Sequence, residues 1–153
     1  MIVVVMGVSG SGKTTLGQLL AKRLGCRFID ADDHHPAENV AKMAAGVPLE
    51  DADRWPWLEQ LNGLLRTQAE DAPDTVLACS ALKQAYRTRL CEGIDDCRLV
   101  YLQGSIVQLR ARLAERQHRY MPASLLESQF AALEAPTDAI TVDVAEPPAR
   151  CVE

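Results

Sequence analysis

The stretch Gly7-Val8-Ser9-Gly10-Ser11-Gly12-Lys13-Thr14 decides the fold of this chain. It has the pattern G-x-x-x-x-G-K-[ST], in which glycines let the backbone approach an anion and successive N–H groups point toward phosphate oxygens. An apolar, β-branched run from Ile2 to Val5 precedes it, and leucines at helical spacing follow it. Because the motif needs a strand before it and a helix after it, the sequence predicts a phosphate-binding P-loop.

The same motif assigns chemistry to single side chains. Lys13 is predicted to reach the β- and γ-phosphates of a nucleotide, and the Thr14 hydroxyl to bind Mg²⁺. The helix that starts here adds the positive end of its dipole. The stretch therefore predicts a nucleoside triphosphate site.

Composition narrows the class of protein. A chain of 153 residues with 48% hydrophobic and 24% charged residues fits one globular domain, 1–153. A net charge of −5 disfavours a nucleic-acid partner, and no apolar run is long enough to span a bilayer. The chain enters its first strand without a signal peptide, which predicts a cytoplasmic protein. Five cysteines without a C-x-x-C pair predict reduced thiols rather than a zinc site or a disulfide framework.

Strand and helix patterns alternate along the chain, which predicts an α/β fold with a parallel sheet and helices on both faces. Residues 116–123 carry no apolar period and are predicted to form a mobile loop. The predicted strands are Ile2–Met6, 26–30, 75–79, 98–103 and 140–144. Four of the predicted helices are Lys13–Leu24, 36–45, 84–91 and one around 125–133. A longer helix is predicted to be capped by Asp51 or Asp53 and to be broken at 71–74. A further helix follows a capping box of Ser105 and Gln108.

Ligands of open α/β sheets gather at the carboxyl ends of the strands. The second strand ends in Asp30 and Asp32, which alternate along an extended segment and can share one face. One of them is a candidate to orient Mg²⁺ through water, and the other to accept a proton from an attacking hydroxyl. The alternative is a turn in which these acids cap the next helix.

Two further stretches carry polar candidates. His34 and His35 have only the distant His118 as a third histidine, so a zinc site is disfavoured and a hydrogen-bonding role for one of them is preferred. Arg54 is either half of a surface ion pair or, in a pocket, a fork that suits a substrate carboxylate.

After the third strand, Ser80, Lys83, Tyr86 and Arg87 make a candidate polar pocket wall. No aspartate of the usual Walker-B kind ends this strand. The metal site therefore depends on Thr14 and the acids of the second strand.

At this point the chain resembles the small bacterial-type gluconate kinases, which are P-loop gluconokinases related to shikimate kinase. The resemblance covers residues 2 to about 145. The His-Pro and Asp-Arg-x-Pro-Trp blocks separate this family from its neighbours. The matching motifs, besides the P-loop, are Asp30-x-Asp32-x-x-His35-Pro36-x-x-Asn39, Lys42-Met43-x-x-Gly46-x-Pro48-Leu49, Asp51-x-Asp53-Arg54-x-Pro56-Trp57-Leu58, Cys79-Ser80-Ala81-Leu82-Lys83-x-x-Tyr86-Arg87 and Ser128-Gln129-Phe130.

The resemblance implies a three-layer P-loop NTPase fold with a five-stranded parallel sheet in the order 2-3-1-4-5, a lid at about 116–123 and a homodimer. It implies Mg²⁺-assisted phosphorylation of D-gluconate by ATP to 6-phospho-D-gluconate. A kinase for shikimate or another small sugar acid would keep the same phosphate machinery, and a non-catalytic nucleotide-binding module would need no acceptor base. Family members usually finish with a helix after the fifth strand, which this chain is expected to lack.

Carried over residue by residue, the resemblance gives a predicted site with three parts. Catalytic roles fall to Lys13, to Asp32 as the base on the acceptor side, and to Arg116 on the lid. Asp32, His35, Arg54, Lys83 and Arg87 are predicted to bind gluconate, and Thr14 and Asp30 to bind the metal. The predicted ATP-binding residues are Gly7, Ser9, Gly10, Ser11, Gly12, Lys13, Thr14, Thr15 and, beside the adenine, Arg112.

Overall fold

A computed structural model describes residues 1–8, 11–71, 74–115 and 126–144. Five parallel strands form one sheet in the order β2-β3-β1-β4-β5. This result confirms the predicted α/β fold and the strand order implied by the resemblance. The strands are β1 (Ile2–Met6), β2 (Arg27–Asp30), β3 (Thr75–Ala78), β4 (Cys97–Gln103) and β5 (Ile140–Asp143).

The helices follow the predicted pattern, with ends that move by a residue or two, as helix and strand ends commonly do. A short 3-10 turn (Ala31–His34) follows β2. Within the described part of the chain, no helix combines the length and apolar character needed to cross a membrane. The helices are α1 (Lys13–Leu24), α2 (Ala37–Ala44), α3 (Asp51–Asp71), α4 (Gln84–Leu90), α5 (Ile106–Glu115) and α6 (Leu126–Ala132).

The centre of the sheet is buried on both faces. Every residue of β1 and β3 is buried, as their near-continuous apolar sequences require in a parallel sheet covered by helices. On α3, the side chains of Trp57, Leu58, Leu61 and Leu65 are at most 1% exposed and repeat at helical spacing. These contacts anchor the first turns of α3, which border the site.

One close approach fixes α1 against β2. A Cβ atom built on Gly17 would lie 2.6 Å from Cε1 of Phe28, inside the distance that real Cβ atoms keep. Glycine at this position therefore lets the helix after the P-loop lie directly on the strand that ends in Asp30.

Strand register brings the polar strand ends to one edge. Val5 of β1 and Asp30 of β2 both pair with Ala78 of β3, which lies between them. The P-loop, the acids after β2 and the turn after β3 therefore leave the sheet side by side.

The cysteines depart from the sequence-based expectation of reduced thiols. Cys91 and Cys97 form a disulfide, with Cα atoms 6.2 Å apart, whereas Cys26 and Cys79 are free. The turn between α4 and β4 folds the end of the helix back onto the start of the strand, a proximity that cysteine spacing alone does not show. Cys151 lies outside the described residues.

Candidate active site

The P-loop leads into α1 through Gly12, whose φ of 94° lies in the left-handed region that favours glycine. Lys13 is the first residue of α1, and its Nζ donates a hydrogen bond to the carbonyl of Val8 (3.1 Å). Burial lowers the pKa of Lys13, and Asp32 acts in the opposite direction. Phosphate oxygens placed here would favour the charged ammonium in the same way.

The other predicted P-loop residues divide between described and masked positions. Gly7, Ser11 and Thr15 lie in the loop and in the first turn of α1, where the motif predicts them. Ser9 and Gly10 lie outside the described residues.

Asp30 joins α1 to the turn after β2. Thr14 Oγ1 donates to Asp30 Oδ2 (3.0 Å), and the backbone N–H of Asp32 donates to Asp30 Oδ1 (3.0 Å). Asp30 therefore caps the 3-10 turn, which was the alternative interpretation, and also contacts the predicted metal-binding hydroxyl. The capping role of Asp30 is observed, and its metal-binding role stays a prediction.

The donor set beside Thr14 suits Mg²⁺. Within 1–8, 11–71, 74–115 and 126–144, there is no group of three or more His, Cys, Asp or Glu side chains that could hold a metal ion by themselves. Mg²⁺ is usually held by one or two carboxylates, water and substrate phosphates rather than by a complete protein cage. A hydroxyl and one carboxylate next to a phosphate-binding loop fit that pattern.

A pocket that is partly open to solvent lies at this edge of the sheet. It brings together four predicted residues from three parts of the chain: Lys13 of α1, Asp32 and His35 of the 3-10 turn and its end, and Arg54 of α3. Ser80, from the predicted wall after β3, also lines it. The remaining lining residues are Met43, Pro48, Leu49, Ser128 and Gln129.

Arg54 lies in this pocket with unused hydrogen-bonding capacity. Its Nε is buried and has no hydrogen-bond partner among the described residues. Its Nη2 is 3.5 Å from the carbonyl of Leu49, at the limit of a hydrogen bond, and its guanidinium lies 5.1 Å from the centre of the Tyr86 ring. A buried donor without a partner is unfavourable, so the site gains from an anion that pairs with it.

The acids beside Arg54 are already paired with other cations. Lys42 Nζ donates to both carboxylate oxygens of Asp53 (2.9 and 3.0 Å), and Lys83 Nζ donates to Asp51 (3.2 Å). No ion pair to Arg54 is found in the described part of the chain. The structure thus favours the pocket interpretation of Arg54 over the surface ion pair.

His35 is held as a neutral ring at the pocket wall. It stacks on Trp57 with ring centres 4.0 Å apart, and Trp57 Nε1 donates to the carbonyl of Ala31 (2.9 Å). Burial, helped by the positive charge of Arg54, lowers the pKa of His35 from 6.5 to about 4. The Nε2 atom lies 3.8 Å from Asp32 Oδ1, too far for a direct hydrogen bond.

Lys83, predicted to bind the acceptor, is not among the residues that line the pocket. Its partner Asp51 also accepts a hydrogen bond from the Tyr86 hydroxyl. Both hydrogen bonds lower the pKa of the Asp51 carboxyl, and the one donated by Tyr86 has the larger effect. Binding of the acceptor substrate by Lys83 stays a prediction, and it requires Lys83 to release Asp51.

The structure does not bring Arg87 to the pocket. Its side chain is buried (3% exposed) and donates to the carbonyls of Ala81 (2.8 Å), Leu82 (3.2 Å) and Glu134 (2.8 Å). Ala81 has a φ of 45°, a left-handed conformation that is uncommon for residues other than glycine. Arg87 therefore clamps the turn after β3 to the segment after α6.

Two predicted residues lie beyond what the structure describes. Arg116, with the proposed lid at 116–123, is outside the described residues. Arg112 belongs to α5, but its side chain is outside them as well. Their assignments stay predictions.

Sequence reasoning gave no role to several residues that build this pocket. Met43, Pro48, Leu49, Ser128 and Gln129 line it, and Trp57 supports His35. The signal was present, because each lies within one of the motifs that carry the family resemblance.

Fold and site together are those of a P-loop kinase, and the sequence profile of the shikimate kinase family matches residues 9–135. The chain is 49% identical over 135 residues to the gluconokinase of Gluconobacter oxydans strain 621H, covering 88% of this chain and 76% of that protein. A solved sugar kinase from Janibacter sp. superposes with a TM-score of 0.92 at 44% identity, covering 99% of this chain and 89% of the other. A solved gluconokinase from Sinorhizobium meliloti 1021 superposes with a TM-score of 0.86 at 42% identity, covering 98% and 86%. The chain belongs to the gluconokinase family.

Proposed function

We propose that the protein transfers the γ-phosphoryl group of ATP to the primary hydroxyl of D-gluconate, giving ADP and 6-phospho-D-gluconate. One observation carries the choice of acceptor. The Nε atom of Arg54 is buried without a hydrogen-bond partner among the described residues, and Arg54 lines the same pocket as Lys13. A guanidinium fork matches a carboxylate, and gluconate carries its carboxylate at the opposite end from its primary hydroxyl.

The nucleotide side is supplied by the P-loop. Lys13 begins α1 and lies among the residues of the pocket, so its ammonium can follow the transferred group between the two substrates. Phosphoryl transfer depends mainly on positioning and on stabilising charge in the transition state. Lys13 performs that role through its charge and forms no covalent bond.

The acceptor side is supplied by Asp32. The hydroxyl oxygen of gluconate forms a bond to the γ-phosphorus while the bond from that phosphorus to the bridging oxygen of ADP breaks. The hydroxyl proton passes to the Asp32 carboxylate, which lines the pocket together with Lys13. Every atom of the two substrates is accounted for in this exchange.

Thr14 and Asp30 are proposed to hold Mg²⁺. A bound Mg²⁺ ion neutralises charge on the β- and γ-phosphates. The Thr14 hydroxyl can bind such an ion through an oxygen lone pair while it donates its proton to Asp30.

The test is a comparison of two acceptors that differ in one group. Purified protein is incubated with ATP, Mg²⁺ and either gluconate or sorbitol, in which a CH₂OH group replaces the carboxylate. ADP release is followed, and the product is identified by ³¹P NMR. We expect turnover with gluconate and little with sorbitol. Equal rates with gluconate and sorbitol would contradict the pairing of Arg54 with the substrate carboxylate. Turnover of shikimate in place of gluconate would overturn the proposed function.

We further propose a homodimer that acts in the cytoplasm, where ATP is plentiful. The family resemblance supports the dimer. Light scattering coupled to size-exclusion chromatography tests it, and a mass near 16.7 kDa in solution would contradict it.

A further inference from the structure

Asn39 lies behind His35 and has a fixed orientation. It is a buried residue of α2 (3% exposed), and its Nδ2 is 2.9 Å from the backbone carbonyl of Asp53 at the start of α3. A carbonyl oxygen only accepts hydrogen bonds, so the amide must present its NH₂ group to it rather than its oxygen. The Asp53 carbonyl therefore decides which way the Asn39 side chain points.

The same nitrogen lies 3.3 Å from His35 Nδ1. An amide NH₂ group donates and does not accept, so Nδ1 must be the acceptor in this contact. A neutral imidazole with an accepting Nδ1 carries its proton on Nε2. The hydrogen-bond network thus assigns the Nε2–H tautomer to His35.

The charged groups that face the ring are consistent with a neutral imidazole. Arg54 of α3 is the cation on this side of the pocket, and its field disfavours a second positive charge. Asp32 faces Nε2 from the 3-10 turn at 3.8 Å, and the uncharged Trp57 covers one face of the ring. The ring therefore offers one donor, Nε2–H, on the side where Asp32 lies.

A donor and an acceptor side by side select the chemistry of what lies between them. Nε2–H of His35 can donate to an oxygen, and the Asp32 carboxylate can accept from one, but the two atoms are too far apart to satisfy each other. An alcohol hydroxyl does both at once, because it accepts through a lone pair and donates its proton. The opposite tautomer would present two acceptors to that hydroxyl and leave one of them without a donor.

We propose that Asn39 is a positioning residue that fixes His35 as the Nε2–H tautomer, so that His35 holds the acceptor hydroxyl whose proton Asp32 takes. The identity of that hydroxyl rests on the proposed function. The tautomer rests on the contacts of Asn39 alone.

The experiment measures the ring nitrogens of His35 by ¹⁵N NMR, with the resonances assigned by their loss in His35→Gln. Wild-type protein is expected to show a protonated Nε2 and an unprotonated Nδ1 at pH 7. Asn39→Asp places a carboxylate opposite Nδ1 and is expected to move a proton onto that nitrogen. Its kcat/KM for gluconate is expected to fall about tenfold, the scale of one lost hydrogen bond, with the KM for ATP unchanged.

Asn62→Asp is the matched control. Asn62 is equally buried (3% exposed), and its Nδ2 donates to the carbonyls of Leu90 and Glu92, both at 2.8 Å, away from the pocket. The control is expected to lose stability as Asn39→Asp does and to leave the His35 spectrum and kcat/KM unchanged.

Three results would overturn the proposal. One is a wild-type His35 protonated on Nδ1, a result that does not depend on the folding of Asn39→Asp. Another is an Asn39→Asp protein with an unchanged His35 spectrum or an unchanged kcat/KM. The third is an equal change in Asn62→Asp. Absence of gluconate turnover in the wild type would refute the proposed function, while the spectrum would still decide the tautomer.

Discussion

Replacing Arg54 with methionine is expected to move acceptor binding and stability in opposite directions. The change keeps an unbranched side chain of similar length and removes the guanidinium. In the protein without substrate, it removes a buried Nε that has no partner in the described structure, a relief of about 1–3 kcal/mol. It also removes the contact with the Tyr86 ring, worth about 0.5–1 kcal/mol, and a hydrogen bond to Leu49 too long at 3.5 Å to contribute much.

The balance is a gain of about 0–2.5 kcal/mol, which predicts that Arg54→Met unfolds at the same temperature as the wild type or up to about 10 °C higher, since 1 kcal/mol corresponds to about 2–4 °C at this chain length. Binding of gluconate loses a charged hydrogen-bond partner worth about 1.5–3 kcal/mol, so its apparent KM is expected to rise roughly 10- to 150-fold. The KM for ATP is expected to stay unchanged.

The assays are a thermal melt without ligands and a coupled ADP-release assay with gluconate and ATP varied in turn. Arg89→Met is the control, because Arg89 pairs with Glu59 and Glu92 on the surface, where such pairs contribute little. That variant is expected to keep both the melting temperature and the KM for gluconate. An Arg54→Met protein that melts well below the wild type and keeps its KM for gluconate would refute the reasoning, because Arg54 would then be a structural residue.

Four further predictions concern the same site. Lys13→Met is expected to lower kcat about 10²–10⁴-fold, the scale of one preorganised electrostatic group, and near-normal turnover would exclude the P-loop assignment. Asp32→Asn is expected to lower kcat by a similar factor of about 10²–10⁴ with ATP binding intact, and a wild-type rate would mean that the proton has another acceptor. Asp30→Asn should instead raise the Mg²⁺ concentration needed for the half-maximal rate. Arg87→Met leaves three carbonyls without their donor and is expected to lower the melting temperature by roughly 5–12 °C, on the scale of about 3 kcal/mol, and an unchanged melt contradicts the clamp. The pKa of His35 falls from 6.5 to about 4 on folding, so between these pH values the unfolded chain binds a proton that the native protein does not. The free energy of unfolding should therefore decrease by up to about 3 kcal/mol as the pH drops from 6.5 to 4. A His35→Gln protein whose stability has the same pH dependence as the wild type would contradict this.

The sequence was sufficient for the fold because its signals are local. Three local signals each constrain their own residues: the β-branched run from Ile2 to Val5, the P-loop, and Gly25, which ends α1 in a left-handed conformation. The predicted element ends lie within a residue or two of the observed ones. Parallel pairing then follows from the alternation of strands and helices. The order of the strands came from the resemblance, because hydrophobic periodicity does not say which strands are neighbours.

The site was predictable in its ingredients and less so in its pairings. Lys13, Asp32, His35 and Arg54 meet in one pocket as the motifs indicated. The position of Arg87 was not accessible in the same way, because a basic residue after a strand end can face a pocket or the backbone carbonyls of a tight turn. Only the three-dimensional path of the chain, with Ala81 in a left-handed conformation, decides between these outcomes.

The partners of single side chains were also hidden from the sequence. Asp51 and Asp53 precede Arg54 in the first turn of α3, yet Lys83 and Lys42 neutralise them from distant positions in the chain. Long-range ion pairs of this kind depend on helix packing, which local patterns do not encode. Arg54 has no ion-pair partner among the described residues, and this observation, which carries the proposed function, is visible only after the partners of Asp51 and Asp53 are located.

The close approach of Gly17 to Phe28 has a consequence for how this family can vary. A Cβ atom at position 17 would lie only 2.6 Å from the Phe28 ring. Any side chain at position 17 therefore requires a smaller residue at position 28 or a displaced α1. A displaced α1 would separate Thr14 from Asp30, which lie 3.0 Å apart in hydrogen-bonding contact. Substitutions at 17 and 28 are therefore expected to occur together among relatives, with the summed volume of the two side chains held nearly constant while each one changes.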